Sequence, residues 1–477
     1  MVPHKMTRRE FLTAAAASTA GVALASCGVT PTAVPQPAPK VETRIVEKVV
    51  TATPVVPKPV SIVFWFGGPY MVTVKGMEDV VKGAGDYERY LTKKFMQQNP
   101  NVQIEPLMVS WSDIDKKVPA AIAGGAPPDV LLDTLNRTAG YYYQGAVEAV
   151  ESLFEQDKAD YYPSIWNQYT LKGHLHALPT HYNLTGLLII NKAICDAAGK
   201  GNLLPTLEKP DWTIEQFETA IRAVASPKLW PFAMQVSQSS GDYRNLAWMW
   251  GHGAKVFDSA DYSKVWLNSP EGVASWKWLK KLLDEGLMAP GPSTATNAAI
   301  RTLFWSGQVG MLGGELGYWD MAAQAKRDGV LKEPFDMIMV QVPHIAGKPP
   351  TPFAFGGSGF VMFKQKDDYK KKAIADFMRF MTASDVEREY GVNYGEFPAR
   401  KSTGIPLAGN PWYEANLAWA AKNGLADQGH AVPCYPEVRE LMPPEMQAMF
   451  LGKKTPEQAI ADYETKANQA LRSCPVK

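Results

Sequence analysis

The chain has 477 residues, 46% hydrophobic and 20% charged, an ordinary globular composition that excludes a disordered or fibrous protein. At ~150 residues per domain it has room for about three domains or two large lobes. Its 49 Lys+Arg against 48 Asp+Glu leave a net charge of +1, which offers no electrostatic footprint for DNA or RNA.

The N-terminus reads as export chemistry rather than fold. Thr7-Arg8-Arg9-Glu10-Phe11-Leu12 is a twin-arginine signal pattern, followed over 13–25 by a weakly apolar run too short to stay in a membrane as a span. Leu24-Ala25-Ser26-Cys27-Gly28 resembles the lipobox of bacterial lipoproteins, which implies cleavage before Cys27 and lipidation of Cys27. The stretch 28–59 carries Pro31, Pro35, Pro37, Pro39, Pro54, Pro57 and Pro59, and reads as an extended spacer. Within it, 41–51 alternates in part and suggests a short strand. No later segment reaches ~18 consecutive apolar residues, so no transmembrane helix is expected. Cys195, Cys434 and Cys474 allow at most one disulfide and leave one thiol. A Cys434–Cys474 bridge is one open pairing, and Cys195, in an apolar helical context, reads as a buried small hydrophobe.

Strands and helices then alternate. The continuous apolar run 60–66 predicts a buried parallel strand. Tyr87, Leu91 and Phe95 fall at i, i+4 and i+8, which predicts a helix over 86–98 ended by Asn99-Pro100. A strand over 102–108, a helix capped by Ser112-Asp113 and stopped at Gly124-Gly125, and a strand over 129–133 complete a βαβαβ beat. That beat implies a parallel sheet wrapped by helices. Ligands in such sheets bind beyond the carboxyl ends of the strands, which brings residues 64–68, Trp111 and 133–137 to one rim. A second α/β region starts near Leu184, with a strand over 186–191 and a helix from Lys192. A helix over 213–225 has Thr213 and Gln216 spaced as a capping box, and another over 272–285 carries Trp276, Leu279 and Leu283. The run 304–312 leads into Gly313-Gly314. Strands follow over 335–342 and 360–363, the latter after Gly356-Gly357-Ser358-Gly359, which reads as the start of a strand with close backbone approach. Thr455-Pro456-Glu457-Gln458 opens a closing helix that buries Ile460, Tyr463, Ala467 and Leu471.

Several short motifs follow one another along the chain: Gly124-Gly125-Ala126-Pro127-Pro128-Asp129-Val130, the Tyr141…Gly145 helix end and Gly173-His174-Leu175-His176-Ala177-Leu178-Pro179. Phe304-Trp305-Ser306-Gly307-Gln308-Val309-Gly310-Met311 and Phe397-Pro398-Ala399-Arg400 come after them. Their order resembles that of the extracellular solute-binding proteins of ABC importers, the branch that includes maltose-binding protein and glycerol-phosphate-binding relatives. The resemblance covers most of 60–475. It implies an α/β fold of two lobes, the type II periplasmic-binding-protein-like architecture, with a ligand cleft between the lobes that closes by hinge motion. The organisation expected is a signal peptide over 1–26 and a lipid-anchored linker over 27–59. Lobe 1 is expected from 60–183 and 343–404, and lobe 2 from 184–342 and 405–477. The resemblance also implies an ABC-transporter permease as partner, an extracytoplasmic lipid-anchored monomer, and no cofactor.

Carried over residue by residue, the resemblance puts Asp133, Asn136, Arg137 and Asn183 at the ligand, with stacking aromatics at Tyr243, Trp248 or Trp250, and Trp319. Glu315 enters because Gly314-Glu315-Leu316-Gly317-Tyr318-Trp319 departs from the usual Asn-Gly-x-Trp. Trp65, Trp305, Gly357 and Arg400 complete the candidates. Flat indoles suit the C–H faces of a sugar ring, while Asp, Asn, Glu and Arg take its hydroxyls. A glycerol-phosphate diester would instead draw on Arg137, Arg244 or Arg400. His174, His176 and His181 lack the H-x-x-x-H or Cys-pair spacing of a metal site, and three consecutive tyrosines from Tyr141 face different directions on a helix. No P-loop, H-E-x-x-H, G-x-S-x-G or dinucleotide fingerprint is present. The expectation is a carbohydrate-binding protein, not an enzyme. A secreted glycoside hydrolase using Asp133 and Glu315 as its carboxylate pair is the alternative.

Overall fold

The computed structural model describes residues 57–474, apart from 69–71, 73, 112, 185, 238–241, 258–262, 315–317, 349–353, 424–428, 430 and 431. The signal, Cys27, the spacer up to 56 and the strand suggested over 41–51 lie outside the described residues, as do Ser112 and Glu315.

The βαβαβ beat forms as its pattern predicts. The strand β1 (Val60–Gly68) runs parallel to both β2 (Val102–Ser110) and β3 (Val130–Thr134). The connecting helix Asp86–Gln98 has the predicted limits, and its Tyr87, Leu91 and Phe95 are buried. Phe95 meets Phe377 of the helix Asp368–Met381 edge-on at 5.2 Å, and Phe377 meets Phe64 of β1 at 5.1 Å. One face of the sheet is thus sealed by aromatic packing, a geometry worth ~0.5–1.5 kcal/mol per pair beyond area burial.

The short hairpin strands β4 (Thr170–Leu171) and β5 (His174–Leu175) precede β6 (Leu178–Leu184). Three later elements extend the first sheet: β11 (Ala354–Met362) antiparallel to β3, β6 antiparallel to β11, and β12 (Phe397–Pro398) antiparallel to β6. The order is β12-β6-β11-β3-β1-β2. The glycine run 356–359 lies inside β11, so the strand expected over 360–363 begins earlier, at Ala354. The reason is steric. A Cβ on Gly357 would stand 1.4 Å from the His181 carbonyl oxygen, and one on Gly359 2.7 Å from the Tyr169 ring. These glycines let two backbones approach where the β6–β11 register shifts.

The second sheet has the order β10-β7-β9-β8, built from β7 (Leu187–Asn191), β8 (Trp230–Ala233), β9 (Val309–Gly314) and β10 (Met337–Gln341). Strand periodicity divides its side chains between two apolar layers. Leu187, Ile189, Leu312 and Met339 join the layer continuous with the first core, while Leu188, Ile190, Met311 and Val340 join a second core with Phe217, Trp248 and Trp276. Both predicted capping boxes form, Thr213 with Gln216 and Thr455 with Gln458. The closing helix Pro456–Arg472 packs on Pro270–Asp284 in that second core.

The two sheets define two lobes. The chain passes from the first sheet to the second over 184–187 and returns over 341–354. After β12 it enters the helix Pro411–Asn423, which spans both lobes. Its Tyr413 stacks on Phe397 at 4.8 Å and donates to the Glu396 carbonyl, while its Asn416 donates to the Met339 carbonyl of β10.

Candidate functional site

The carboxyl ends of β1, β2 and β3 assemble the rim expected from the sequence. Trp111 follows β2, and its ring lies so close over Gly67 that a Cβ there would come within 2.2 Å of it. The Arg137 guanidinium sits 5.6 Å from the same indole, a cation–π contact. Asn136 and Arg137 occupy the first turn of the helix Leu135–Tyr143, which starts where β3 ends.

The charges of Arg137 and Asp133 are spent on each other and on their neighbours. Arg137 is 8% exposed and Asp133 fully buried. Arg137 donates through Nε to Asp115 at 2.6 Å, and through one terminal nitrogen to Asp133 at 3.1 Å and the Thr134 hydroxyl at 2.8 Å. Asp133 also accepts from the Thr134 N–H at 2.7 Å and the Tyr141 hydroxyl at 3.1 Å. Burial pushes the Asp133 carboxyl up from its ordinary value, and Arg137, the Thr134 amide and Tyr141 pull it back. Asp133 therefore organises the rim from below, and its carboxylate does not face an opening. Asn136 is 1% exposed; its Oδ1 accepts from Thr134 at 2.5 Å, and its Nδ2 has no hydrogen-bond partner. A buried amide donor left unpaired is costly, and here it stands at the carboxyl end of a parallel sheet.

The remaining candidates divide by packing. Trp65 lies on β1, half-buried, with the Lys117 ammonium 5.7 Å from its ring. Trp319 is half-buried in the first turn of the helix Tyr318–Arg327, just beyond the end of β9. Trp248, by contrast, is 2% exposed and packs 4.8 Å from Phe232, 5.5 Å from Phe217 and 5.6 Å from Trp278. It is a core ring, and so is Trp305, 7% exposed between Phe304 and Tyr318. Trp250 is half-buried against the second core. Of Asn183, Tyr243 and Arg244 only the backbone is described, in β6 and in the helix Asp242–Gly251.

Arg400 is a structural arginine rather than a ligand contact. It is 7% exposed, donates to the Thr382 carbonyl, Asp160 and Asp157, and lies 4.5 Å over the Tyr161 ring. Gly357 is likewise a packing requirement, as its approach to His181 shows. The histidines separate as well. His174 is exposed and pairs with Glu151 at 2.7 Å. His176 is buried between the Tyr169 carbonyl and Thr138, and burial pushes it down to about 3. His181 pairs with Glu396 at 2.8 Å. Among the described residues no group of three His, Cys, Asp or Glu could hold a metal, and no helix is long and apolar enough to cross a membrane. Cys434 and Cys474 form the disulfide, and Cys195 is the buried free thiol, pushed up to about 11 by burial.

The two tryptophans make a testable contrast. Trp248→Ala should cost ~3–5 kcal/mol of stability, the usual cost of emptying a core aromatic site. Trp319→Ala should cost clearly less, because part of its ring already faces solvent. Denaturant midpoints without ligand measure both, and equal losses would return Trp319 to the core.

Comparison with known proteins places these features in a family. The chain is 22% identical over 393 residues to a putative binding protein of Brucella abortus, covering 81% of this chain and 90% of that one. It is 23% identical over 414 residues to an sn-glycerol-3-phosphate-binding periplasmic protein of Brucella melitensis, covering 80% and 89%. Its fold matches an ABC substrate-binding protein of Listeria monocytogenes in complex with cycloalternan, with a TM-score of 0.68 and 21% identity over 87% of this chain and all of that one. It also matches a maltose-bound MalE3 of T. maritima, with a TM-score of 0.68 and 18% identity over 86% and 99%. The family model for bacterial extracellular solute-binding proteins matches residues 90–419, and with both lobes and the order of their motifs in place, the chain belongs to the bacterial extracellular solute-binding protein family.

Proposed function

We propose that this protein is the capture receptor of an ABC importer, that it binds a neutral carbohydrate between its lobes, and that it hands the solute to a membrane permease. It works outside the cytoplasm as a monomer, exported by the twin-arginine signal over 1–26 and held at the membrane by a lipid on Cys27 through the spacer 27–59. Lobe 1 is 60–183 with 343–404, and lobe 2 is 184–342 with 405–477. Trp65, Asn136 and Trp319 are the contacts we assign to the solute, with Asn183, Tyr243 and Glu315 as further candidates. Arg137 and Asp133 hold the rim in shape.

The observation that carries the choice of solute is the spent charge. A phosphodiester needs a guanidinium or ammonium with a free donor fork. Arg137 is committed to Asp115 and Asp133, and Arg400 to Asp157 and Asp160. What the rim offers instead is aromatic surface and an unpaired amide donor on Asn136, which suit ring faces and hydroxyls. The glycerol-phosphate reading keeps the relative of that name, the Lys117 ammonium beside Trp65, and Arg244, of which only the backbone is described. The hydrolase reading needs two carboxylates opposed across a bond roughly 5–9.5 Å apart, and the burial of Asp133 argues against its being one of them.

The test is a thermal-shift screen of the full chain carrying Cys27→Ser, against maltose, maltotriose, chitobiose, glycerol 3-phosphate and glycerophosphodiesters. A solute at 100 times its Kd should stabilise by ~2.7 kcal/mol. A neutral sugar is expected to shift the midpoint, and Trp319→Ala to weaken that sugar by ~2 kcal/mol or more. A shift with phosphodiesters alone sinks the carbohydrate reading. Cys27→Ser should move the chain from the detergent phase to the aqueous phase, and retention in detergent would overturn the lipid anchor.

A further inference from the structure

We propose that the Cys434–Cys474 disulfide is a brace between the lobes: it holds the helix Tyr435–Glu440 against the first-lobe helix Leu135–Tyr143 and so positions the rim at Arg137. The bridge joins residues 40 apart in sequence, with Cα atoms 5.9 Å apart. Its two ends are unequal. Cys474 follows the helix Pro456–Arg472, whose Ile460, Tyr463 and Ala467 are fully buried in the second core. That end is fixed. Cys434 caps a helix of only six residues and sits at φ +57°, a left-handed conformation that residues with side chains keep only where their surroundings hold them.

A helix this short does not hold itself in place. Tyr435 and Val438 turn inward to the second core, which leaves Pro436 and Glu437 on the opposite side. There the short helix packs on Leu135–Tyr143 of the first lobe. Pro436, Glu437 and the two bridged cysteines form one wall of a cavity of about 110 Å³. Arg137, Gly140, Tyr141 and Gln144 are on its other wall. Their spacing of i, i+3, i+4 and i+7 is a single helix face. The residue at the start of that face, Arg137, is the one that stacks on Trp111 and pairs with Asp133. A covalent tie in the second lobe is thus one helix away from the charge network that shapes the rim in the first.

The consequence for capture rests on the two-lobed receptor reading, but the brace can be measured without any solute, so failure of one is distinguishable from failure of the other. The experiment is hydrogen–deuterium exchange on the full chain carrying Cys27→Ser, oxidised and after reduction with a water-soluble phosphine. Cys434→Ser/Cys474→Ser is measured in parallel. Peptides covering 135–144 should exchange at least tenfold faster without the bridge, while those from 60–68 keep their rates. A bridge that served only its own lobe would speed exchange over 435–440 and 456–472 and leave 135–144 unchanged. A bridge that served the whole fold would speed 60–68 as well. Either result overturns the proposal. Because the double-serine chain can lose its fold, a third chain keeps the bridge and carries Pro436→Gly with Glu437→Gly. It should reproduce the faster exchange over 135–144, and unchanged exchange there also overturns the brace.

Discussion

Replacing Gly357 by alanine is expected to cost the protein its fold. The new methyl would stand 1.4 Å from the His181 oxygen, 2.4 Å from the His181 carbonyl carbon and 2.5 Å from the Tyr182 Cα. All three are backbone atoms, so no rotamer change relieves the clash. The seam between β6 and β11 must part instead. Those two strands sit side by side at the point where the chain leaves the first sheet, and His181 of β6 pairs with Glu396 just ahead of β12. Single substitutions that exceed ~4–5 kcal/mol are exceptional and have a named steric or electrostatic cause; this one has such a cause. The measurement is the yield of folded chain and its denaturant midpoint. Gly140→Ala is the control. It lies in the helix Leu135–Tyr143, a Cβ there meets nothing within 4 Å, and alanine in a helix is favoured over glycine by roughly 0.8–1 kcal/mol. A folded Gly357→Ala chain with a wild-type midpoint would show that the strands approach less closely than described.

Arg137→Ala is the second large effect, and its size depends on pH. The substitution leaves Asp133 at 0% exposure with no cationic partner; removing one member of a buried pair typically costs ~3–5 kcal/mol. Asp115, with 45% of its side chain exposed, turns to water at little cost. In the variant, burial acts on the Asp133 carboxyl without the guanidinium that opposed it, so its folded value rises further above that of the unfolded chain, about 3.9. A carboxyl raised on folding binds more protons in the folded state, so stability falls as pH rises through that interval. The variant should therefore be least stable at neutral and alkaline pH and recover in acid. Adding Asp133→Asn, which removes the charge and keeps the shape, should restore part of the loss at pH 7. A deficit that does not vary with pH and is not rescued by Asn would place the cost in packing against Trp111 rather than in the buried charge.

Local signals in the sequence were legible wherever one residue's neighbours in the chain are also its neighbours in space. The helix Asp86–Gln98 is readable from Tyr87, Leu91 and Phe95 because a 3.6 period is a local property, and Thr213 and Thr455 mark helix starts because a capping box closes within four residues. The rim of Trp111, Asn136 and Arg137 is readable because strand ends in a parallel sheet converge by rule. What was not legible depends on distant chain. Trp248 and Trp319 are the same residue on helices, and only Phe217, Phe232 and Trp278 decide that Trp248 faces inward. Arg400 looks like a ligand contact until Asp157 and Asp160, some 240 residues earlier, take its donors. Gly356-Gly357-Ser358-Gly359 reads as the start of a strand with close backbone approach, and β11 bears that out, but the strand begins earlier than 360. Which backbone approaches, that of His181 and Tyr182 far earlier in the chain, has no signature in that segment.

The paired charges of the rim also bear on how fast a solute arrives. An unpaired cluster of one sign would focus field lines and draw ions from several ångströms away, at rates that fall as salt is added. Arg137 lies between Asp115 and Asp133, and the whole chain carries a net charge of only +1. One guanidinium against two carboxylates leaves at most one formal charge there, so the long-range field at the rim is weak. Encounter with an uncharged solute then depends on diffusion and on the width of the opening, and the association rate should stay level from dilute to concentrated salt. For a solute-binding protein outside the cytoplasm, where ionic strength follows the surroundings, a weak field makes the rate of supply less dependent on the medium.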